Sequence, residues 1–263
     1  MRTAAFFDLD KTIIAKSSTL AFGRSFYQGG LINRRAVLKT AYAQFVYLVG
    51  GADHDQMERM RQYLSALCSG WDVGQVREIV AETLHDLIDP LIYQEAADLI
   101  AEHKAAGRDV IILSSSGAEV VEPIGELIGA DTVIATRMVV TDGRYTGDVE
   151  YYAYGEGKAS AIKALAASGG YDLDGCYAYS DSVTDLPMLE SVGFPHAVNP
   201  DRALRKEAIL RDWPVLVFAN PVSLRAKMAN LTLPTKPVMA ATALGVGTAA
   251  AAGLVWYARK KRS

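Results

Sequence analysis

A small set of side chains in this 263-residue sequence has the types and spacing for chemistry on an anion. Asp8 and Asp10 stand two apart at the end of an apolar run and are followed by Lys11 and Thr12. Ser114 ends a second apolar run, Lys158 opens a helical pattern, and Asp181 and Asp185 follow a third run. Two carboxylates so close repel each other unless a cation or a shared proton sits between them. On one reading, either acid merely N-caps the next helix. On the other, Asp8, Asp10 and Asp181 supply hard oxygen donors with no His or Cys among them, a set that suits Mg2+ better than a transition metal. Ser114 and the amides after it, at a helix N-terminus, can cradle a phosphate, and Lys158 adds a fixed positive charge. A metal, a lysine, a hydroxyl and helix amides facing a carboxylate would stabilise a phosphoryl group during its transfer.

These groups need strand ends to hold them. Residues 4–8 read as a short strand buried on both faces, the type found in parallel sheets. Ligands of such sheets bind beyond the carboxyl ends of the strands, where Asp8 and Asp10 would fall. From residue 17 to 89 no strand pattern intervenes. Helices are expected over 20–27 and 31–49, with a third opening at Asp53. A fourth starts from Asp72, with Gln75 three residues on in capping-box fashion. Strand and helix then alternate: a helix from Pro90 to Ala106, a strand over 109–113, a helix to Ile128, and strands over 132–140 and 144–149 joined through Asp142-Gly143. The last is a hairpin signal. A helix near Lys158 and strands over 175–179, 195–198 and 215–218 complete the set. The alternation predicts an α/β fold, a doubly wound parallel sheet with a helical cap inserted after the first strand. The predicted domains are a core of 1–16 and 90–230, a cap of 17–89, a linker of 231–237 and a hydrophobic helix of 238–257.

The net charge of −3 hides an asymmetry: no acid occurs from Lys11 through Ala52, a stretch carrying +6, which leaves −9 for the remainder. That stretch is either a solvated helix face or a surface turned to an anion or an acidic membrane. Residues 238–257 carry no charge and precede a basic tail, with Trp256 and Tyr257 at the junction. Twenty helical residues span about 30 Å, the thickness of a bilayer's hydrocarbon core. The stretch is rich in Ala and Gly, so spanning the bilayer, lying in its interface and packing on the protein's own surface all remain open. The N-terminal run, broken by Asp8 and Asp10, is not expected to act as a signal peptide. Cys68 and Cys176 have no metal-ligand spacing and are expected as free thiols. No nucleic-acid reading motif accompanies the basic stretch.

Taken together, the motifs resemble the haloacid dehalogenase (HAD) superfamily over residues 3–218, and within it the subfamily IB branch that contains phosphoserine phosphatase. The family pattern D-x-D-x-T is Asp8-Leu9-Asp10-Lys11-Thr12. Its second-motif serine is Ser114, its lysine is Lys158, and its acidic motif is Asp181 through Asp185. The resemblance implies a HAD Rossmann-like core and a phosphatase. Asp8 would be the nucleophile and Asp10 the general acid and base. Ser114, Lys158 and Thr12 would bind the phosphoryl oxygens. Mg2+ would sit on Asp8, the backbone carbonyl of Asp10, and Asp181, with Asp185 in support.

Three positions depart from the family pattern. Lys11 stands where small residues are usual, Thr184 replaces an Asn, and Ser17 replaces the cap-entry Glu that pairs with a substrate amine. The acid-free, aromatic-rich cap entrance suits an anionic, partly apolar substrate. The expected partner is therefore a lipid phosphate at the cytoplasmic side of the cell membrane. The alternatives are a soluble cytoplasmic phosphatase acting on a small molecule such as phosphoserine, and a phosphotransferase using the same intermediate.

Overall fold

Strand β1 (Ala4–Asp8) has every residue buried, and its side chains divide between two apolar layers. Ala5 and Phe7 enter one core with Val110 and Ile112, while Ala4 and Phe6 enter the other with Ile111 and Leu113. This period-two division is what covering both faces of a parallel strand demands. The computed structural model describes residues 2–32 and 65–221, all within one compact unit, Met1–Ala226.

Around β1 lie β2 (Asp109–Gly117), β3 (Thr132–Thr141), β4 (Arg144–Tyr151), β5 (Tyr177–Ser180), β6 (Phe194–Val198) and β7 (Val215–Leu216). They form a seven-stranded sheet in the order β4-β3-β2-β1-β5-β6-β7. All neighbours are parallel except β3 and β4. After β3 and its hairpin the chain crosses back to the far side of β1, so the switch in winding direction falls beside Asp8. The hairpin turn is Asp142-Gly143, with φ of 50° and 75°. Two consecutive left-handed residues match the strand twist, which accounts for Asp-Gly at this point.

Helices among the described residues include α1 (Ser18–Ala21), α2 (Gly23–Gln28), α3 (Val73–Ile88), α4 (Gln94–Ala105), α5 (Ala118–Ile128), α6 (Glu156–Gly169), α7 (Leu186–Leu189) and α8 (Arg202–Leu210). Helices α3, α4 and α5 bury Val76, Val80, Ile100, Val121 and Ile124 in one core. Helices α6, α7 and α8 bury Ile162, Met188, Leu189 and Leu204 in the other. The two layers thus enclose the sheet, as a doubly wound α/β fold requires. Among the described residues no helix is long and apolar enough to cross a membrane. The expected helix of 238–257 and the linker of 231–237 lie outside the described residues, as do the expected helix of 31–49 beyond Ile32 and the helix opened by Asp53.

Several local expectations change in detail. The helix expected over 20–27 is two pieces, α1 and α2, separated at Phe22, whose side chain is fully buried. The helix expected from Pro90 begins only at Gln94, because residues Asp89–Leu91 form a 3-10 turn and Tyr93 is extended. Asp72 does cap α3, accepting from the Gln75 amide at 3.1 Å. The reciprocal half of the box is absent: the Gln75 side chain donates instead to the Gly29 carbonyl, at 2.8 Å. The chain leaves the core at Ile14 and returns beside itself. Ala15 donates to Leu91 and Tyr93 donates to Ile13, at 2.8 and 2.9 Å.

Candidate active site

Sheet register brings the expected site residues together. Asp8 pairs with Leu113 and Phe7 with Tyr179, so Ser114, Ser180 and Asp181 emerge level with or just beyond Asp8. Strand β2 continues through Gly117, four residues past the expected end, and α5 starts only at Ala118. The helix N-terminus expected at Ser114 is therefore displaced. The buried Ser114 hydroxyl instead accepts the Ser116 amide at 3.2 Å.

Lys158 is the centre of the cluster. Its ammonium lies 2.6 Å from Asp8 Oδ1 and 2.7 Å from Asp185 Oδ2, and the residue is 2 % exposed. Ser180 donates to the same Asp185 oxygen at 2.7 Å. Two glycines set the lysine's place at the start of α6. Gly155, with φ of 52°, supplies the N-cap. A Cβ at Gly157 would meet the Tyr152 carbonyl oxygen at 2.2 Å, so only glycine lets the helix begin so close to that strand end.

The turn after β1 returns Thr12 toward Asp8, with Thr12 Oγ1 donating to Asp8 Oδ2 at 3.3 Å. Lys11 adopts a left-handed φ of 60° in this turn, and its ammonium reaches to 3.8 Å from Asp181 Oδ2. Asp10 is held apart from the lysine: Oδ1 accepts the Ser18 amide at 2.8 Å and Oδ2 accepts the Ser116 hydroxyl at 3.1 Å. One carboxylate thus meets the buried cation while the other is hydrogen-bonded beside it, which separates the two acids chemically.

Negative charge is in excess here. Burial pushes the Asp8 carboxyl up; Lys158 pulls it down, while Asp185, Asp181 and Asp10 push it up. Burial likewise carries Asp181 to about 7 against the pull of Lys11. Lys158 is disfavoured as a cation by burial, yet Asp185 and Asp8 hold it well above its ordinary range. The two ends of this coupled network agree on direction: more positive charge would be accommodated. Among the described residues no three His, Cys, Asp or Glu side chains form a preassembled metal cluster. Two buried carboxylates, Asp8 and Asp181, are nevertheless a donor set that fits Mg2+, which retains several waters and takes few protein ligands.

Ser18, Ser116 and Ser180 were not among the expected site residues. Their signal was present, since Ser114 and Ser116 are two apart on one strand and so share a face. Ser180 likewise ends β5.

The sheet and its switch point define a doubly wound α/β protein with a lysine–carboxylate cluster at the strand ends, and sequence comparison gives its family. The haloacid dehalogenase-like hydrolase family model matches residues 5–190, and the chain belongs to that family. It is 72% identical over 263 residues to a Streptomyces azureus protein named "Inhibition of morphological differentiation protein", covering all of this chain and 95% of the other. It is 62% identical over 261 residues to a Mycobacterium tuberculosis protein named "Probable phosphatase", covering 99% and 90%. A further M. tuberculosis protein, named phosphoserine phosphatase, is 32% identical over 256 residues, covering 97% and 80%. A solved phosphoserine phosphatase structure, 20% identical, shares the fold at a TM-score of 0.61 over 86% of this chain and 98% of that one. The chain is a phosphatase of the haloacid dehalogenase type.

Proposed function

We propose that the protein is a Mg2+-dependent phosphomonoester hydrolase that acts through an aspartyl-phosphate on Asp8, with a soluble phosphorylated small molecule as substrate. The observation that carries this reading is the buried Lys158 bridging Asp8 and Asp185, with Asp10 held separately by Ser18 and Ser116. An Asp8 carboxylate oxygen attacks phosphorus as the P–O bond to the leaving group breaks. Asp10 gives its proton to the departing oxygen, then takes one from the water that cleaves the aspartyl-phosphate and restores the Asp8 carboxylate. Lys158, Ser114 and Thr12 hold phosphoryl oxygens, and Asp185 keeps Lys158 in place. Mg2+ would be held by the carboxylates of Asp8 and Asp181 and the backbone carbonyl of Asp10. When bound it supplies the positive charge that offsets the phosphoryl oxygens.

The relative named phosphoserine phosphatase supports a small amine-bearing phosphomonoester, although Ser17 offers no carboxylate for such an amine. A second reading, a lipid phosphate at the cytoplasmic face of the membrane, is favoured by the acid-free +6 stretch from Lys11 to Ala52. Phosphate release by the full chain in detergent, with phosphoserine, other small phosphomonoesters and lipid phosphates compared, decides between them. Fast, selective phosphoserine turnover ends the lipid reading. EDTA should abolish release and Mg2+ restore it. Asp8→Asn should eliminate turnover while leaving the circular dichroism spectrum intact. Ordinary activity in that variant would refute the mechanism. Phosphate release without an added acceptor separates a hydrolase from a phosphotransferase.

A further inference from the structure

We propose that Ser116 is the positioning residue that aims the acid group of Asp10 at the leaving oxygen, and that it does so only while gripped by Ser18 and Thr19 of helix α1. The proposal rests on Asp10 being the general acid.

The argument is one of hydrogen-bond valence. A serine hydroxyl has one proton and two lone pairs. The Ser116 oxygen accepts from Ser18 Oγ at 2.9 Å and from Thr19 Oγ1 at 3.1 Å. With both lone pairs taken, its proton has one remaining direction, and there it meets Asp10 Oδ2 at 3.1 Å. The other Asp10 oxygen accepts the Ser18 amide at 2.8 Å. Each carboxyl oxygen therefore has its own donor, so the plane of the group is held against rotation. Accepting from a hydroxyl and an amide is possible for the carboxylate and, through the remaining lone pairs, for the acid, so the hold persists through a proton transfer. Ser18 is fully buried and Ser116 nearly so, which shields the bond between these two hydroxyls from competing water.

The cluster joins two distant parts of the chain. Ser116 belongs to β2, whereas Ser18 and Thr19 open the first helix after the chain leaves the sheet. Asp10 is thus aligned by the seating of α1 on β2, and a displacement of α1 would loosen the acid without touching Asp8 or Lys158. The Ser116 amide also bonds the Ser114 hydroxyl at 3.2 Å, which ties the acid's support to a group proposed to hold phosphate.

A leaving group that departs unaided exposes the role. With Mg2+ present, 4-nitrophenyl phosphate needs little proton donation, while an alkyl phosphate such as glycerol phosphate needs it fully. General acid catalysis contributes about 10²–10⁴-fold, and misalignment forfeits part of it. Ser116→Ala should therefore lower kcat/KM, which reports the steps up to the aspartyl-phosphate and not its hydrolysis, by about 10–100-fold on the alkyl phosphate and by less than about threefold on 4-nitrophenyl phosphate. Ser116→Thr, which keeps the hydroxyl, should restore most of the loss. Thr19→Val, which frees one lone pair of Ser116, should give the same selectivity in weaker form and serves if Ser116→Ala fails to fold. Equal losses on both substrates, or none on either, would overturn the proposal. Asp10→Asn separates the two levels. If it lowers kcat/KM equally for both substrates, the acid reading of Asp10 is wrong. If it spares 4-nitrophenyl phosphate while Ser116→Ala does not, only the positioning role is refuted.

Discussion

Replacing Lys158 by alanine should cost the protein several kcal/mol of stability as well as its activity. The ammonium sits 2.6 Å from Asp8 and 2.7 Å from Asp185, with 2 % of the residue exposed. At an effective dielectric constant of about 20, each contact has a Coulomb attraction of about 6 kcal/mol, most of which offsets the desolvation of the three charges. Truncation does not recover that desolvation, because two carboxylates stay buried facing each other. Breaking a buried ion pair on one side typically costs about 3–5 kcal/mol. For a core of this size about 1 kcal/mol corresponds to roughly 2–4 °C in Tm, so the variant should melt at least about 6 °C lower. The assay is urea denaturation monitored by tryptophan fluorescence, in EDTA so that no metal substitutes for the lost cation. A double-mutant cycle with Asp185→Asn isolates the pair: the double variant should recover a large part of the loss, because one stranded charge goes with the lysine. Phosphatase kcat should fall by about 10²–10³-fold, the effect of removing one group aimed at developing charge. A Lys158→Ala protein within 1 kcal/mol of wild type, or a cycle with no coupling, would show that Lys158 is not the cation that neutralises this site.

Buried His103 accepts Arg108 Nε at its Nδ1, at 2.7 Å, which assigns the proton to Nε2 facing the Tyr179 hydroxyl at 2.8 Å. Burial, followed by Arg108 and His196, lowers its pKa to about 4. The unfolded chain binds this proton near pH 6.5 and the folded chain does not, so the stabilisation is complete above about 6.5 and is lost as pH falls toward 4, by about 3 kcal/mol. The unfolding free energy of His103→Gln should therefore fall less steeply over that interval; identical slopes would refute the assignment. Gly157→Ala places a Cβ against the Tyr152 carbonyl and should destabilise by about 1–3 kcal/mol. The same change should shift Lys158 and so lower kcat more than it changes KM, in steady-state assays on a phosphomonoester. A variant with wild-type Tm and kcat would mean that the start of α6 tolerates displacement.

The legible parts of the fold were those whose cause lies within a few residues. The apolar runs of β1 and β2 announced strands covered on both faces, Asp142-Gly143 announced its turn, and Asp72 announced the start of α3. Boundaries slipped where a distant contact overrode local pattern. Phe22 divides a helix that its neighbours would have continued, with its side chain in the core. By local pattern Ser114 opens onto a helix N-terminus, yet Ser114 pairs with Ala135 and Gly117 with Thr136, so the segment stays in the strand with Ser115 and Ser116 taken up in a register shift. The spacing of Asp8, Asp10, Ser114, Lys158, Asp181 and Asp185 was readable as a set. The hydroxyls that support them, Ser116, Ser18 and Ser180, carried only a signal of position and did not stand out, because serine is as common in loops as in sites.

By itself the sequence determined which residues must be buried, where the chain turns and which acids end the strands, because side-chain periodicity and capping act over one or two turns of backbone. Tertiary structure alone decided that Lys158 stands between Asp8 and Asp185 and that Ser116 faces Asp10. Those contacts join residues 150 and 106 positions apart. They exist because parallel pairing brings the carboxyl ends of β1, β2 and β5 level. Register of that kind is set by the packing of two whole helical layers against the sheet.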